Sequence, residues 1–198
     1  MTKKNKFINF VEKSTLPTDI ATFDIHAFTE LSSNKDHLAI TIGSLNPSPV
    51  LARIHSQCIT GESFFSMRCD CRFQLTESLN QIANNGSGVI FYLQQEGRGI
   101  GLSNKIKAYK LQDDGMDTVE ANHQLGFLED ERNYEIVATM AEHLNIKSVD
   151  LLTNNPNKIK ALETMGLKVN KRIPILSSSN EHNEKYLSTK VKKLGHLM

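Results

Sequence analysis

Three cysteines, Cys58, Cys69 and Cys71, cluster in one short stretch of a chain that has no others. Ten residues separate the first pair and one separates the second. Two thiolates one residue apart can reach a single metal ion only where the backbone is extended or turned, and Asp70 between them disfavours helix. Zn²⁺ suits such ligands because it takes thiolates and imposes no d-electron geometry of its own. Three protein ligands leave a fourth position open, the catalytic arrangement, in which a bound water falls to a pKa near ~7 and becomes hydroxide at neutral pH. The bland alternative is three buried, inert thiols. Arg53, His55, Arg68 and Asp70 make this neighbourhood too polar for a purely hydrophobic plug. His55 offers a fourth ligand, which would close the site and make it structural.

Two further segments have the chemistry of anion sites. Gln95-Glu96-Gly97-Arg98-Gly99-Ile100-Gly101 follows an apolar strand and leads into a helix, so its backbone N–H groups could cradle an anion at the helix N-terminus. It is neither a dinucleotide fingerprint, because Leu102 stands where the last glycine belongs, nor a Walker A loop. A tight turn needing positive φ explains the same glycines. Thr153-Asn154-Asn155-Pro156-Asn157-Lys158 is the second segment, with Lys158 in the first helical turn either facing a phosphate or solvated at the surface. Asp130-Glu131-Arg132 reads as the opening of a helix, where acids are favourable for dipole reasons alone. His123, in a polar and helical stretch from Thr118, is more readily structural than catalytic, and Tyr109 faces either core or site.

The elements that must position these residues are legible from periodicity. Alternation places strands at Phe23, Ile25, Ala27, then at Leu38, Ile40, Ile42, and again over Val50 to His55 after the turn Asn46-Pro47-Ser48-Pro49. Leu75, Leu79 and Ile82 recur at helical spacing until Asn84-Asn85-Gly86, before an apolar strand from Val89 to Leu93. Helices follow through Ile106, Tyr109, Lys110 and Leu111, and through Ile136, Val137, Met140, Ala141 and Leu144. Val149 to Thr153 is a buried strand. Asn155 is the N-cap and Pro156 the first position of a helix with Ile159, Leu162 and Met165 inward, ended by Gly166. These signals predict an α/β fold, a single domain with a mixed β-sheet flanked by helices over residues 1–198, with a polar tail over about residues 177–198 set off by Ser177-Ser178-Ser179-Asn180.

Composition narrows the function. The 198 residues are 39% hydrophobic and 23% charged, the balance of a globular protein. A net charge of +1 provides no global field for a nucleic acid, so any anionic ligand must be met locally. The longest apolar run, Val89 to Leu93, is five residues, against the ~20 of a membrane-spanning helix. Lys3, Lys4 and Lys6 resemble a charged leader, but Asn9 and Glu12 interrupt the apolar residues that follow and no cleavage site appears. An odd number of cysteines without a secretion signal argues against disulfides, and the expectation is a cytoplasmic protein without a membrane partner.

Taken together, Arg53-Ile54-His55-Ser56-Gln57-Cys58-Ile59-Thr60-Gly61, Met67-Arg68-Cys69-Asp70-Cys71, the loop Gln95 to Gly101, the run Asp117 to Phe127 and Leu151-Leu152-Thr153-Asn154-Asn155-Pro156 resemble GTP cyclohydrolase II, the family that opens riboflavin biosynthesis. The resemblance extends from Leu16-Pro17-Thr18 to Asn183-Glu184-Lys185-Tyr186-Leu187, Thr189-Lys190 and Gly195-His196-Leu197. It implies hydrolysis of GTP at guanine C8 with release of formate and pyrophosphate, leaving 2,5-diamino-6-(5-phosphoribosylamino)pyrimidin-4(3H)-one. It further implies one catalytic Zn²⁺ per subunit on Cys58, Cys69 and Cys71, Mg²⁺ with the triphosphate, and a homodimer. GTP-binding positions would fall on Arg53, Ile54, His55, Ser56, Gln57, Gln74, Glu96, Gly97, Arg98, Thr118, Thr153 and Lys158. Tyr109 would assist attack at C8 or ring opening. Asp130 and Arg132 match the family's proton acceptor and nucleophile toward the α-phosphate, although a guanidinium with pKa above ~12 is a poor nucleophile and a good phosphate clamp. Gln57 stands where the family usually has Glu, and Arg72 where Gly commonly follows the last cysteine, a strained position if it needs positive φ. The alternatives are a catalytically silent nucleotide- or zinc-binding homologue and an enzyme that stops after ring opening.

Overall fold

The computed structural model describes residues 7–197, so Lys3, Lys4 and Lys6 lie outside the described residues. Seven strands, β1 (Ile8–Pro17), β2 (Thr22–Glu30), β3 (Asp36–Ile42), β4 (Val50–Ser56), β5 (Gly88–Leu93), β6 (Ser148–Leu152) and β7 (Lys168–Ile173), form one sheet in the order β1-β2-β3-β5-β4-β6-β7. β1, β2, β3 and β5 pair antiparallel, whereas β5, β4, β6 and β7 run parallel, so the sheet is mixed as the patterning predicts. The helices are α1 (Ile59–Glu62), α2 (Cys71–Asn85), α3 (Gly101–Asp113), α4 (Thr118–Gln124), α5 (Glu135–His143), α6 (Pro156–Thr164) and α7 (Glu184–Lys192). Among the described residues no helix is long and apolar enough to cross a membrane.

Both faces of the sheet are covered, and each has its own core. On one face Phe28, Ala52, Ile54, Val89, Phe91, Leu93, Val149 and Leu151 pack with Ile136, Val137, Met140 and Ala141 of α5 and Leu162 of α6. On the other, Phe23, Ile90 and Leu152 meet Ile82 of α2, with Leu75 and Leu79 beside them. Two-sided burial blurs the simple alternation expected of half-buried strands. In β3 the most buried side chains are His37, Ala39 and Thr41, while Leu38, Ile40 and Ile42 are only half-buried. In β2, Phe23 is buried with His26 and Phe28, and Ile25 and Ala27 are only partly covered.

Several helix boundaries follow the sequence closely. Gly86 caps α2 in the left-handed conformation, at φ 70°. Asn155 Oδ1 accepts from Asn157 N at 2.9 Å with Pro156 in the first turn of α6. Asp117 caps α4 by accepting from Val119 and Glu120 N while Glu120 reaches back to Asp117 N, a capping box. One expectation is overturned. Asp130-Glu131-Arg132 does not open a helix: the chain stays irregular up to Tyr134, because the Asp130 carboxylate is engaged by Arg132 and Glu131 N donates to Arg98 O at 2.9 Å, so this segment is tied to the glycine loop.

The topology determines where a ligand can sit. β5 lies on one side of β4 and β6 on the other, so the connections leaving the C-terminal ends of β4 and β5 diverge, opening a crevice at the end of β4. The segments after β4 (Gln57, Cys58), β5 (Gln95, Glu96) and β6 (Thr153, Asn154) all line it.

Candidate active site

That crevice is a cleft of about 1080 Å³, its open mouth included. At one end the three sulfurs converge, all within 4.8 Å of one another. Cys58 precedes the single turn of α1, Cys69 ends the following loop, and Cys71 begins α2 with Asp70 as its N-cap residue, the turned backbone that the Cys-Asp-Cys spacing demands. A Cβ at Gly61 would lie 2.9 Å from Cys69 Sγ and 3.2 Å from Cys58 Sγ, so no larger residue fits there. Hydrogen bonds from Cys69 and Cys71 hold Cys58 far below the usual thiol range, and the same bonding pushes Cys69 up to about 11. A pre-gathered trio of soft donors around a space that excludes side chains fits a divalent metal.

His55 does not close that trio. Its Nε2 pairs with Glu62 Oε1 at 2.8 Å, burial lowers its pKa, and its ring stacks on Tyr92. Glu62, which spacing alone did not single out, also accepts from Cys58 N at 2.8 Å and from Tyr92 OH at 2.5 Å. Glu96 plays the matching part across the cleft, accepting from Ile59 N at 2.7 Å and from Lys105 Nζ at 2.7 Å. Lys105 spends its remaining donors on Thr60 Oγ1 at 2.8 Å and Cys58 Sγ at 3.2 Å. Tyr109 OH meets the same Thr60 hydroxyl at 3.2 Å, and burial raises its pKa against the opposing Thr60 bond and Lys105 charge. Tyr109 therefore faces the site.

The opposite end of the cleft is cationic. Arg53, buried, donates to Leu152 O at 2.9 Å and to Gln74 Oε1, while its Nε has no partner; burial brings its pKa down to about 10. Lys158 is buried rather than solvated, its Nζ donating to Ile54 O at 2.8 Å, and burial followed by the charges of Arg53 and Arg132 pulls its pKa well down. Arg132 is held in a fork by Asp130, Nε to Oδ1 at 2.7 Å and Nη2 to Oδ2 at 2.5 Å, with Nη1 at 3.4 Å from Ser56 Oγ. Burial opposes both charges of this pair, but the contact with Arg132 holds Asp130 below the usual carboxylate range, and Tyr134 followed by Asp130 holds Arg132 above its own. Arg98 reaches Thr118 Oγ1 at 3.5 Å and leaves a buried Nη2 without a partner. It sits with Gly97 in the glycine loop, both at positive φ of 60° and 64°.

Of the residues singled out from sequence, Arg53, His55, Ser56, Gln57, Gln74, Glu96, Gly97, Arg98, Thr118, Thr153, Lys158, Tyr109, Arg132 and the three cysteines all line this one cleft. Asp130 reaches it through Arg132. Ile54 is the exception: its side chain lies in the core, 1% exposed, and only its carbonyl takes part, through Lys158. His123 is exposed on α4. Arg72 is not strained, since it lies inside α2 with its guanidinium 4.1 Å from the Phe65 ring centroid. Sequence reasoning passed over Lys105, although Lys105, Ala108, Tyr109 and Gln112 line the cleft at helical spacing, the signal that could have found it. Tyr186, Lys190 and His196 fall in the stretch read as a polar tail to which the family resemblance extends without a role assigned to them, and they line the cleft as well.

The family model described as GTP cyclohydrolase II matches residues 9–174. The chain belongs to that family. Relatives include GTP cyclohydrolase-2 of Azotobacter vinelandii, 54% identical over 96% of this chain and 91% of that one, and GTP cyclohydrolase-2 of Pseudomonas putida strain W619, 52% identical over 96% and 93%. The fold is similar to the crystal structure of RibBX, a two-domain 3,4-dihydroxy-2-butanone 4-phosphate synthase from A. baumannii, with a TM-score of 0.52 and 16% identity over 88% of this chain and 42% of that one. At that identity the likeness concerns the fold alone. For this member of the GTP cyclohydrolase II family, the family model's match stops at residue 174, before Tyr186, Lys190 and His196, whereas the alignments to the two relatives cover 96% of the chain.

Proposed function

We propose that this protein hydrolyses GTP at guanine C8, releases formate and pyrophosphate, and yields 2,5-diamino-6-(5-phosphoribosylamino)pyrimidin-4(3H)-one, the first step of riboflavin biosynthesis. The observation that carries this reading is one cleft lined both by a thiol trio and by buried cations, with Tyr109 and Gln74 in the same lining. In this reading Cys58, Cys69 and Cys71 hold zinc. When bound, zinc supplies Lewis acidity and lowers the pKa of water toward neutrality. Glu62 and Lys105 orient the cysteine turn, one through Cys58 N and the other through Cys58 Sγ. The Tyr109 phenol stays protonated at neutral pH and can donate a hydrogen bond to the opening ring.

At the cationic end Arg53, Lys158, Arg98 and Thr153 receive the triphosphate. The fork from Asp130 keeps the Arg132 guanidinium charged and aimed, which supports a role in stabilising charge on the departing pyrophosphate over one as nucleophile. Asp130 is the acid paired there and is committed to Arg132, so Mg²⁺ enters on the nucleotide's phosphates, its usual mode. Exposed Phe64, Phe65, Met67 and Phe73 beside the cysteine turn support a homodimer, checked by light scattering.

The test is incubation of zinc-replete protein with GTP and Mg²⁺, with formate and pyrophosphate quantified. Both in equal amounts is the expected result. Pyrophosphate alone replaces this reading with a truncated reaction, and neither product leaves a silent nucleotide-binding homologue.

A further inference from the structure

Beyond Ile173 the chain does not trail away from the sheet. Asn154, which follows Thr153 at the end of β6, fastens it at both ends. Its side chain pairs with Ile175, accepting from the N–H at 3.0 Å and donating to the carbonyl at 2.5 Å, while its own carbonyl accepts from Leu197 N at 2.9 Å. The intervening loop carries α7 across to α4, where Lys193 pairs with Asp117 and Glu120 and Lys185 Nζ donates to Gly115 O at 2.7 Å. The segment is thus a strap lying over the cleft, closed on the residue next to the candidate phosphate site.

Its inner face bears polar groups turned into the protein. Lys190 is buried, and its Nζ lies 2.5 Å from Oδ1 of Asp70, whose side chain is 1% exposed and sits between Cys69 and Cys71. Asp70 Oδ2 accepts from Gln74 Nε2 at 2.6 Å and from Ser177 Oγ of the strap at 3.4 Å. Gln74 in turn accepts from Arg53 at the cationic end. An unbroken line of charge-assisted hydrogen bonds therefore runs from the strap to both ends of the cleft. Tyr186 adds a second hold, with the Arg98 guanidinium 5.6 Å from its ring centroid and Lys190 4.6 Å from it. Replacing a buried ion pair by apolar groups is often neutral for stability, whereas removing one partner leaves the other charge uncompensated.

We propose that the strap is a working part of the substrate site and that Lys190 is a positioning residue, acting through Asp70 on the turn that carries Cys69 and Cys71 and through Gln74 on Arg53. This inference rests on the functional reading above. Lys190→Met keeps the length of the side chain and removes the charge that holds Asp70, and Lys190→Arg restores the charge. Lys192→Ala, exposed on the same helix and outside the cleft lining, controls for the effect of altering α7 itself.

Three readouts decide the matter on the full-length chain: zinc loss to a competing chelator, KM and kcat for GTP, and melting temperature. Lys190→Met is expected to lose zinc at least tenfold faster and to raise KM for GTP by about tenfold, the scale of an outer-sphere partner. Lys190→Arg should recover most of both, and Lys192→Ala should match the parent chain. Lys190→Met with parental zinc retention and KM overturns the proposal, whether or not its melting temperature falls, because a merely structural lysine moves only the latter. A parent chain that holds zinc yet releases no product from GTP refutes the functional reading, and the zinc readout then judges Lys190 alone. A parent chain that retains no zinc overturns both.

Discussion

The two ends of the cleft solve opposite electrostatic problems. At the sulfur end every buried charge has its partner within the chain: Lys105 with Glu96, Lys190 with Asp70, Glu62 with His55 and Tyr92. At the other end Arg98, Arg132 and Lys158 share the carboxylate of Asp130, Arg53 meets Asp70 only through Gln74, and Arg53 and Arg98 each keep a buried N–H without an acceptor. Unpaired buried donors and mutual repulsion raise the free energy of the empty protein. An anionic ligand removes that penalty as it binds. The sulfur end is therefore organised before anything arrives, whereas the cationic end has donors left for an anion, the triphosphate in the proposed reading, and substitutions at the two ends should fail in different ways.

The largest effect belongs to the pre-organised end. Cys69→Ser should abolish zinc binding and formate release, beyond the ~10–100-fold typical of an outer-sphere change. Metal analysis alongside formate release checks it, and a variant with full metal content would remove the ligand assignment. Next is Arg132→Lys, which keeps the charge but loses the fork to Asp130. kcat should fall by about 10²-fold, in line with loss of one charge-stabilising donor, with KM moved far less; steady-state kinetics with GTP separate the two.

Lys158→Met sharpens the contrast, because it should weaken GTP binding by about tenfold while making the empty protein more stable. A lysine whose folded pKa lies below the ordinary 10.5 binds fewer protons folded than unfolded, so its burial costs stability at neutral pH and that cost fades as pH rises toward 10.5. The melting-temperature advantage of the variant without nucleotide should accordingly be clear at pH 7 and shrink toward zero above about pH 10. An advantage that did not change with pH would show that Lys158 carries no such penalty. The smallest effect is expected from Arg72→Gly. It should cost about 1 kcal/mol in urea unfolding, from glycine's weak helix propensity and the lost contact with Phe65, and leave the kinetic constants within about twofold.

His196 divides what could be read in advance from what could not. In the sequence it is one histidine in a basic tail. In the structure, burial first and then the charges of Lys190, Lys158, Arg132 and Arg98 bring its pKa down to about 3, so it faces the cleft as a neutral ring. Lys158 is similar: its place in the sequence favours a solvated surface lysine, the family resemblance alone promotes it to a phosphate ligand, and its burial against Ile54 O removes the solvated reading. Asp130 and Arg132 were recognised as site residues but assigned to the wrong local structure, since first-turn acids and a carboxylate tied to a neighbouring arginine look the same in a linear string.

By itself, the sequence determined whatever depends on neighbours a few residues away: the cap at Asn155, the stop at Gly86, the turned Cys-Asp-Cys backbone, the apolar strand from Val89 to Leu93 and the family to which these motifs belong. Tertiary structure decided what depends on partners far along the chain. The ion pair of Lys190 with Asp70 spans 120 residues, the bond of Lys158 to Ile54 spans 104, and Lys105 reaches Cys58 across 47. Burial and charge pairing are properties of position in three dimensions, and a sheet covered on both faces erases the simple periodicity that would otherwise announce which side chains turn inward.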